Sequence, residues 1–147
     1  MDLSTFYGWA VSSTSLADAN KTNGMRDAAL AAWGHLSQFT LAFVAIMLFF
    51  SVGMAIYYYT EYNNQPNRHY TPQQWAFVGL TSIIIVFVLT LVFAYVMQKT
   101  GNIEGLFALE LKLAMCNALY AAGFYLFTSF VWCNSPFKTN AYRFLKL

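Results

Sequence analysis

The residues best suited to chemistry in this sequence stand in one of its most apolar stretches. GLFALELKLAMCNALYAAGFYLFTSFVWC, Gly105 to Cys133, carries Glu110 and Lys112. A carboxylate and an ammonium inside hydrocarbon are costly and mark ion or proton pathways. At the headgroup level the same two charges are ordinary anchors. Length separates the two cases. Ile103 to Cys133 is 31 residues, about 46 Å of helix, against a hydrocarbon core of ~30 Å. Leu113 to Trp132 crosses unaided, so Glu110 and Lys112 are expected at the interface, and an intramembrane functional site is the alternative. Being two residues apart, they do not share a helix face and are poor partners for each other.

The other chemical candidates are sparse. His35 and His69 fall at opposite ends of an apolar run, separated by roughly the ~30 Å core, so one chain cannot bring both to one metal. No His-x-x-His, Glu-x-x-His or Cys-x-x-Cys occurs, and no metal site is expected. Cys116 and Cys133 are 17 residues apart on one expected helix, about 25 Å, too far for a disulfide; both read as small apolar side chains. No nucleophile–base pair, paired carboxylates or glycine-rich phosphate loop is visible, so an enzyme is not expected. Asn20-Lys21-Thr22 matches a glycosylation sequon, a match of three residues only. Deep polar groups suited to a conduction path are limited to Ser51, Thr81, Ser82, Thr90, Asn117, Thr128 and Ser129. Asn117 is the strongest of them, and a lone asparagine reads as a hydrogen bond between helices.

Around His35 the segment AAWGH, Ala31 to His35, resembles the Ala-x-x-x-His of bacterial light-harvesting polypeptides. The resemblance covers five residues, and the rest of the chain does not follow that family. It implies His35 as ligand to a haem or chlorophyll-type pigment shared with another subunit; the alternative is a polar residue at the membrane surface. No cofactor of the chain's own is expected, and bound lipid is.

The elements that must position these groups follow from composition. Of 147 residues 59% are hydrophobic, 19% aromatic and 10% charged, where soluble domains carry about 25% charged residues. A net charge of +2 gives no basic stripe for nucleic acid. The expected fold is all-α, a polytopic integral membrane protein with three transmembrane helices, short loops and ordered non-membrane tails. Residues 1–34 form the N-terminal tail and the start of a long first helix, and residues 35–133 the three-helix domain. Residues 134–147 form an amphipathic C-terminal tail. The spans are about 37–59, 75–97 and 106–132.

One helix is expected from about Asn23 to Tyr62; being longer than the bilayer needs, it should tilt, bend near Gly34 or project beyond the membrane. Thr71, Pro72 and Gln74 give the second span a cap, a first-turn proline and a capping box. Asn102 can cap the third, and Asn134-Ser135-Pro136 stops it. The first 34 residues, charged and without a continuous apolar core before Ala28, do not read as a signal peptide, so insertion without N-terminal cleavage is expected. With no evident helix before Asn23, the N-terminal tail reads as lying against another protein. The C-terminal tail suits an interfacial segment.

Small residues recur at helical spacing: Ala114, Ala118 and Ala122 on the third span, Ser51 and Ala55 on the first, Gly79 between Ala76 and Ser82 on the second. Such rows let helix backbones approach. Tyr57, Tyr58, Tyr59, Trp75 and Trp132 are expected as an aromatic belt at one interface, the far side; the N-terminal tail lies on the near side. Lys21, Arg26, Lys99 and Lys112 on the near side balance Arg68, Lys138, Arg143 and Lys146 on the far side. An even split leaves orientation unassigned and hints that neighbours fix it.

Together these features lead us to expect a non-catalytic accessory or scaffolding subunit of a larger integral membrane complex, in contact with other membrane subunits and lipids. An energy-transducing respiratory or photosynthetic electron-transfer complex, in an inner or photosynthetic membrane, is the narrower expectation. The alternatives are a homo-oligomeric channel or transporter and a pigment-binding subunit using His35.

Overall fold

The computed structural model describes residues 3–21, 24–62, 72–97, 103–132 and 145, and 89% of those residues are helical with no strand among them. The helices are α1 Leu3–Tyr7, α2 Ser13–Ala19, α3 Arg26–Gln38, α4 Thr40–Tyr57, α5 Pro72–Met97 and α6 Leu106–Trp132, with a π-helical turn, Tyr58–Tyr62, extending α4. Three stretches, Thr40–Tyr62, Pro72–Met97 and Leu106–Val131, are long and apolar enough to cross a membrane, the architecture of a multi-pass membrane protein. Pro72 opens α5 as expected, since a first-turn proline gives up no helical hydrogen bond. Thr71, Asn102 and the Asn134-Ser135-Pro136 stop lie outside the described residues.

The single first helix expected from Asn23 to Tyr62 is two helices, and the break falls at Phe39 rather than Gly34. The Ser37 carbonyl accepts from both the Phe39 N–H and the Thr40 hydroxyl. Phe39 itself sits at φ −94° and ψ 9°, outside the helical well. A threonine hydroxyl competing for a carbonyl is a known way to interrupt the helical ladder. The third helix starts at Leu106, where Gly105 turns the chain at φ 76°, a conformation that suits glycine.

The N-terminal tail differs most from expectation. It forms α1 and α2, and Leu3, Tyr7, Val11, Leu16, Ala17 and Asn20 are buried against the chain's own residues. Ser12 caps α2 by accepting from the Ser15 N–H at 3.2 Å, the role serine performs at a helix start.

The chain divides into two compact units. One comprises Met1–Ile46 with Phe87–Asn117; the other comprises Met47–Val86 with Ala118–Leu147. In the first, α2 and α1 pack on α3, and Ala29, Ala32, Trp33, Leu36, Phe43, Leu113 and Ala114 are buried. In the second, Ala55, Tyr58, Trp75, Val78 and Tyr125 form the core.

Candidate functional site

In the first unit Asn117 is fully buried and joins four elements. Its carbonyl oxygen accepts from the Tyr7 hydroxyl of α1 at 2.9 Å. Its amide donates to the Phe43 carbonyl of α4 at 3.0 Å and to the Thr90 hydroxyl of α5 at 2.7 Å. Both donors and one acceptor site of the amide are thereby used, which makes the group a complete joint rather than an unsatisfied pore residue. Phe93 supports it from α5, edge-on to Phe39 and Phe43 at 5.6 and 5.5 Å.

A second joint holds the other end of the N-terminal segment. The buried Asn20 amide donates to the Glu104 carbonyl at 2.9 Å and to the Leu16 carbonyl at 2.9 Å, while its oxygen accepts from the Glu104 N–H at 3.0 Å. The side chain thus pairs with the Glu104 backbone as another peptide group would. With Asn20 at Glu104 and Tyr7 at Asn117, the segment runs antiparallel to α6 over about 20 Å. Lys112 lies between the two joints and is exposed. It shares a small cavity of about 160 Å³ with Val11, Ser15, Leu16 and Leu109.

Glu110 is only 2% exposed. It lies on the buried stripe of α6 with Leu106, Leu113 and Asn117. The expectation of two interfacial charges therefore meets two different environments, with Lys112 facing outward and Glu110 inside the protein. His35 is half-buried in the last turn of α3, edge-on to Phe39 at 5.3 Å. No cluster of three or more histidines, cysteines or carboxylates occurs among the described residues.

In the second unit the joint is aromatic. The Trp75 indole N–H donates to the Ser129 hydroxyl at 3.1 Å, and the Tyr125 hydroxyl donates to the Trp75 carbonyl at 2.9 Å. The two rings lie 5.5 Å apart. Gly79 admits the Tyr125 ring; a Cβ there would stand 2.6 Å from Cε1. Ser82 donates to the Phe50 carbonyl at 3.0 Å.

Of the small-residue positions, Ala114, Ser51 and Ala55 are fully buried, Gly79 is buried, and Ala118 and Ala122 are half-buried. Ala121, one position from the expected row, is the buried alanine there. Of the aromatic belt, Tyr57 is exposed, Tyr59 half-buried, and Tyr58 and Trp75 are inside the protein. The Trp132 side chain lies outside the described residues. Sequence reasoning singled out Asn117 and named Ser129 as a deep polar residue, but missed Tyr7 as the partner of Asn117, Asn20 as the partner of Glu104 and Tyr125 as the partner of Trp75. A tyrosine 110 residues from its partner carries no local signal of the contact. Compared with protein-family models, with curated proteins and with solved structures, the chain matches none.

Proposed function

We propose that the chain is a non-catalytic structural subunit of a larger integral membrane complex. The observation that supports this reading most is how its buried polar side chains are used. Asn117, Asn20, Trp75, Tyr125 and Ser82 all bond across elements of the chain itself, as joints that fix helices. The membrane-length helices bury only 28–39% of their apolar windows within the chain, which leaves lateral surface for lipids and other subunits. An energy-transducing complex is the narrower proposal, with His35 as the residue that would touch a shared pigment or haem. The test is purification in mild detergent from the native membrane through a tag on this chain. Co-migration with a hetero-assembly is expected, and visible absorbance lost on His35→Ala would support the shared cofactor. A colourless particle made only of copies of this chain would overturn the reading.

Glu110 favours a second reading. A buried carboxyl in a membrane-length helix is the kind of group that ion- and proton-coupled proteins use, which would make the chain a transporter or channel subunit. Glu110→Gln separates the two. Loss of the assembly's activity with assembly preserved supports transport, whereas intact activity supports the structural role.

A further inference from the structure

We propose that the second unit carries a binding groove for one hydrocarbon chain of a membrane lipid. The groove lies between α5 and α6 and has a volume of about 360 Å³. Ala76 on one side and Ala122 on the other open it by their small size, the Tyr125 ring lies against Gly79, and Leu80, Ile83 and Leu126 form its walls. Trp75 and Tyr125 form the floor, and both are almost wholly buried.

Two features select an acyl chain as the occupant. The polar atoms of the floor are already bonded inside the unit, the Trp75 N–H to Ser129 and the Tyr125 hydroxyl to the Trp75 carbonyl. The groove therefore answers no hydrogen bond from an occupant, and any polar group entering would be stranded at a cost. Its extent also fits. From Trp75 to Ile83 is about 12 Å of helix, close to one leaflet, half of the ~30 Å core. It begins within one turn of Pro72, where the apolar span starts, so a chain lying in it leaves its headgroup at the membrane surface.

The test uses the full chain in phosphatidylcholine vesicles containing a trace of phosphatidylcholine with a diazirine on one acyl chain. After photolysis, adducts are mapped by mass spectrometry. A several-fold excess at Leu80, Ile83 and Leu126 over Ile84 and Phe127, which are exposed outside the groove, is the expected result. Ala122→Phe, which fills the groove, should abolish the excess. Gly53→Leu, at a position with open space around it on α4, should leave it intact. If Ala122→Phe fails to fold by circular dichroism, Ala76→Phe fills the same groove from α5 and is read in the same way. Uniform labelling of all exposed positions, or an excess that survives filling, would overturn the proposal. So would disulfide-linked dimers of Leu80→Cys in the same vesicles with no lipid adduct, which would make a second copy the occupant.

Discussion

Asn117 and Glu110 occupy one stripe of one helix, yet physical chemistry assigns them opposite effects on stability. Asn117 is bonded on three sides, and hydrogen bonds between helices in membranes contribute about 0.6 kcal/mol on average and up to ~1.7. Asn117→Ala should therefore destabilise the chain by on the order of 2–3 kcal/mol, since it also strands the Tyr7 hydroxyl. Tyr7→Phe alone should cost about 1 kcal/mol. Because the two share a bond, the double variant should fall short of the sum, a coupling that unfolding in mixed micelles would read. Fully additive losses would mean that Tyr7 does not hold Asn117. Glu110 is buried on the same stripe, and burying a carboxyl costs about 1–3 kcal/mol. Glu110→Leu should accordingly stabilise the chain by a similar amount in the same assay. A loss of stability would show that the carboxyl is satisfied by something bound to it. Chain length alone led us to expect Glu110 at the membrane surface. The direction of its side chain could not be read from the sequence, because α6 is apolar nearly all round and such a helix shows no preferred face.

At the scale of elements, the spans were legible because the first two are long uncharged runs and the third is an apolar run with its two charges near its start, and the start of α5 because Pro72 fits a first turn. The Phe39 break was not, since Gly34 is the more obvious weak point while Ser37 and Thr40 act through a hydroxyl-to-carbonyl bond. The N-terminal helices were hidden because α1 is only five residues long, too short to hold without tertiary contacts; Tyr7 and Asn20 supply those contacts from either end. Trp75 reads from sequence as a belt residue because it follows a span's start, but Ser129 draws its indole N–H inward. The packing of α5 on α6 can be tested at its tightest point. Gly79→Ala places a Cβ 2.6 Å from the Tyr125 ring, so the ring must move and its bond to the Trp75 carbonyl must lengthen or break. Overpacking of this kind costs about 1–3 kcal/mol, and the displaced ring should change Trp75 fluorescence. Gly53→Ala, with nothing within 4 Å of its new Cβ, should be neutral or stabilising by up to ~1 kcal/mol through helix propensity. Equal effects of the two substitutions would argue against close packing at Gly79.

For the whole molecule, the balance of cations bears on how the chain enters its membrane. Orientation is set chiefly by excess Lys and Arg in short loops on one side, and here four such residues stand against four. Lys112, exposed beside the N-terminal segment, is one of the four on the near side. The N-terminal segment offers a further anchor there, for Trp9 is 64% exposed close to the Tyr7 joint, and tryptophan favours the headgroup level. Tryptophan favours both membrane surfaces equally, however, so it fixes depth without fixing direction. A chain expressed alone should then insert both ways, whereas the same chain made with its neighbours should adopt one orientation. Accessibility of a single cysteine introduced at Gly24, read from both sides of sealed vesicles in a Cys116→Ala, Cys133→Ala background, measures the two fractions. Adding two lysines to the near-side tail should collapse the mixture to one orientation, since a small bias suffices when nothing opposes it. A single orientation for the unmodified chain expressed alone would mean that the topology is encoded within it, and the charge balance would no longer argue for an assembly around it.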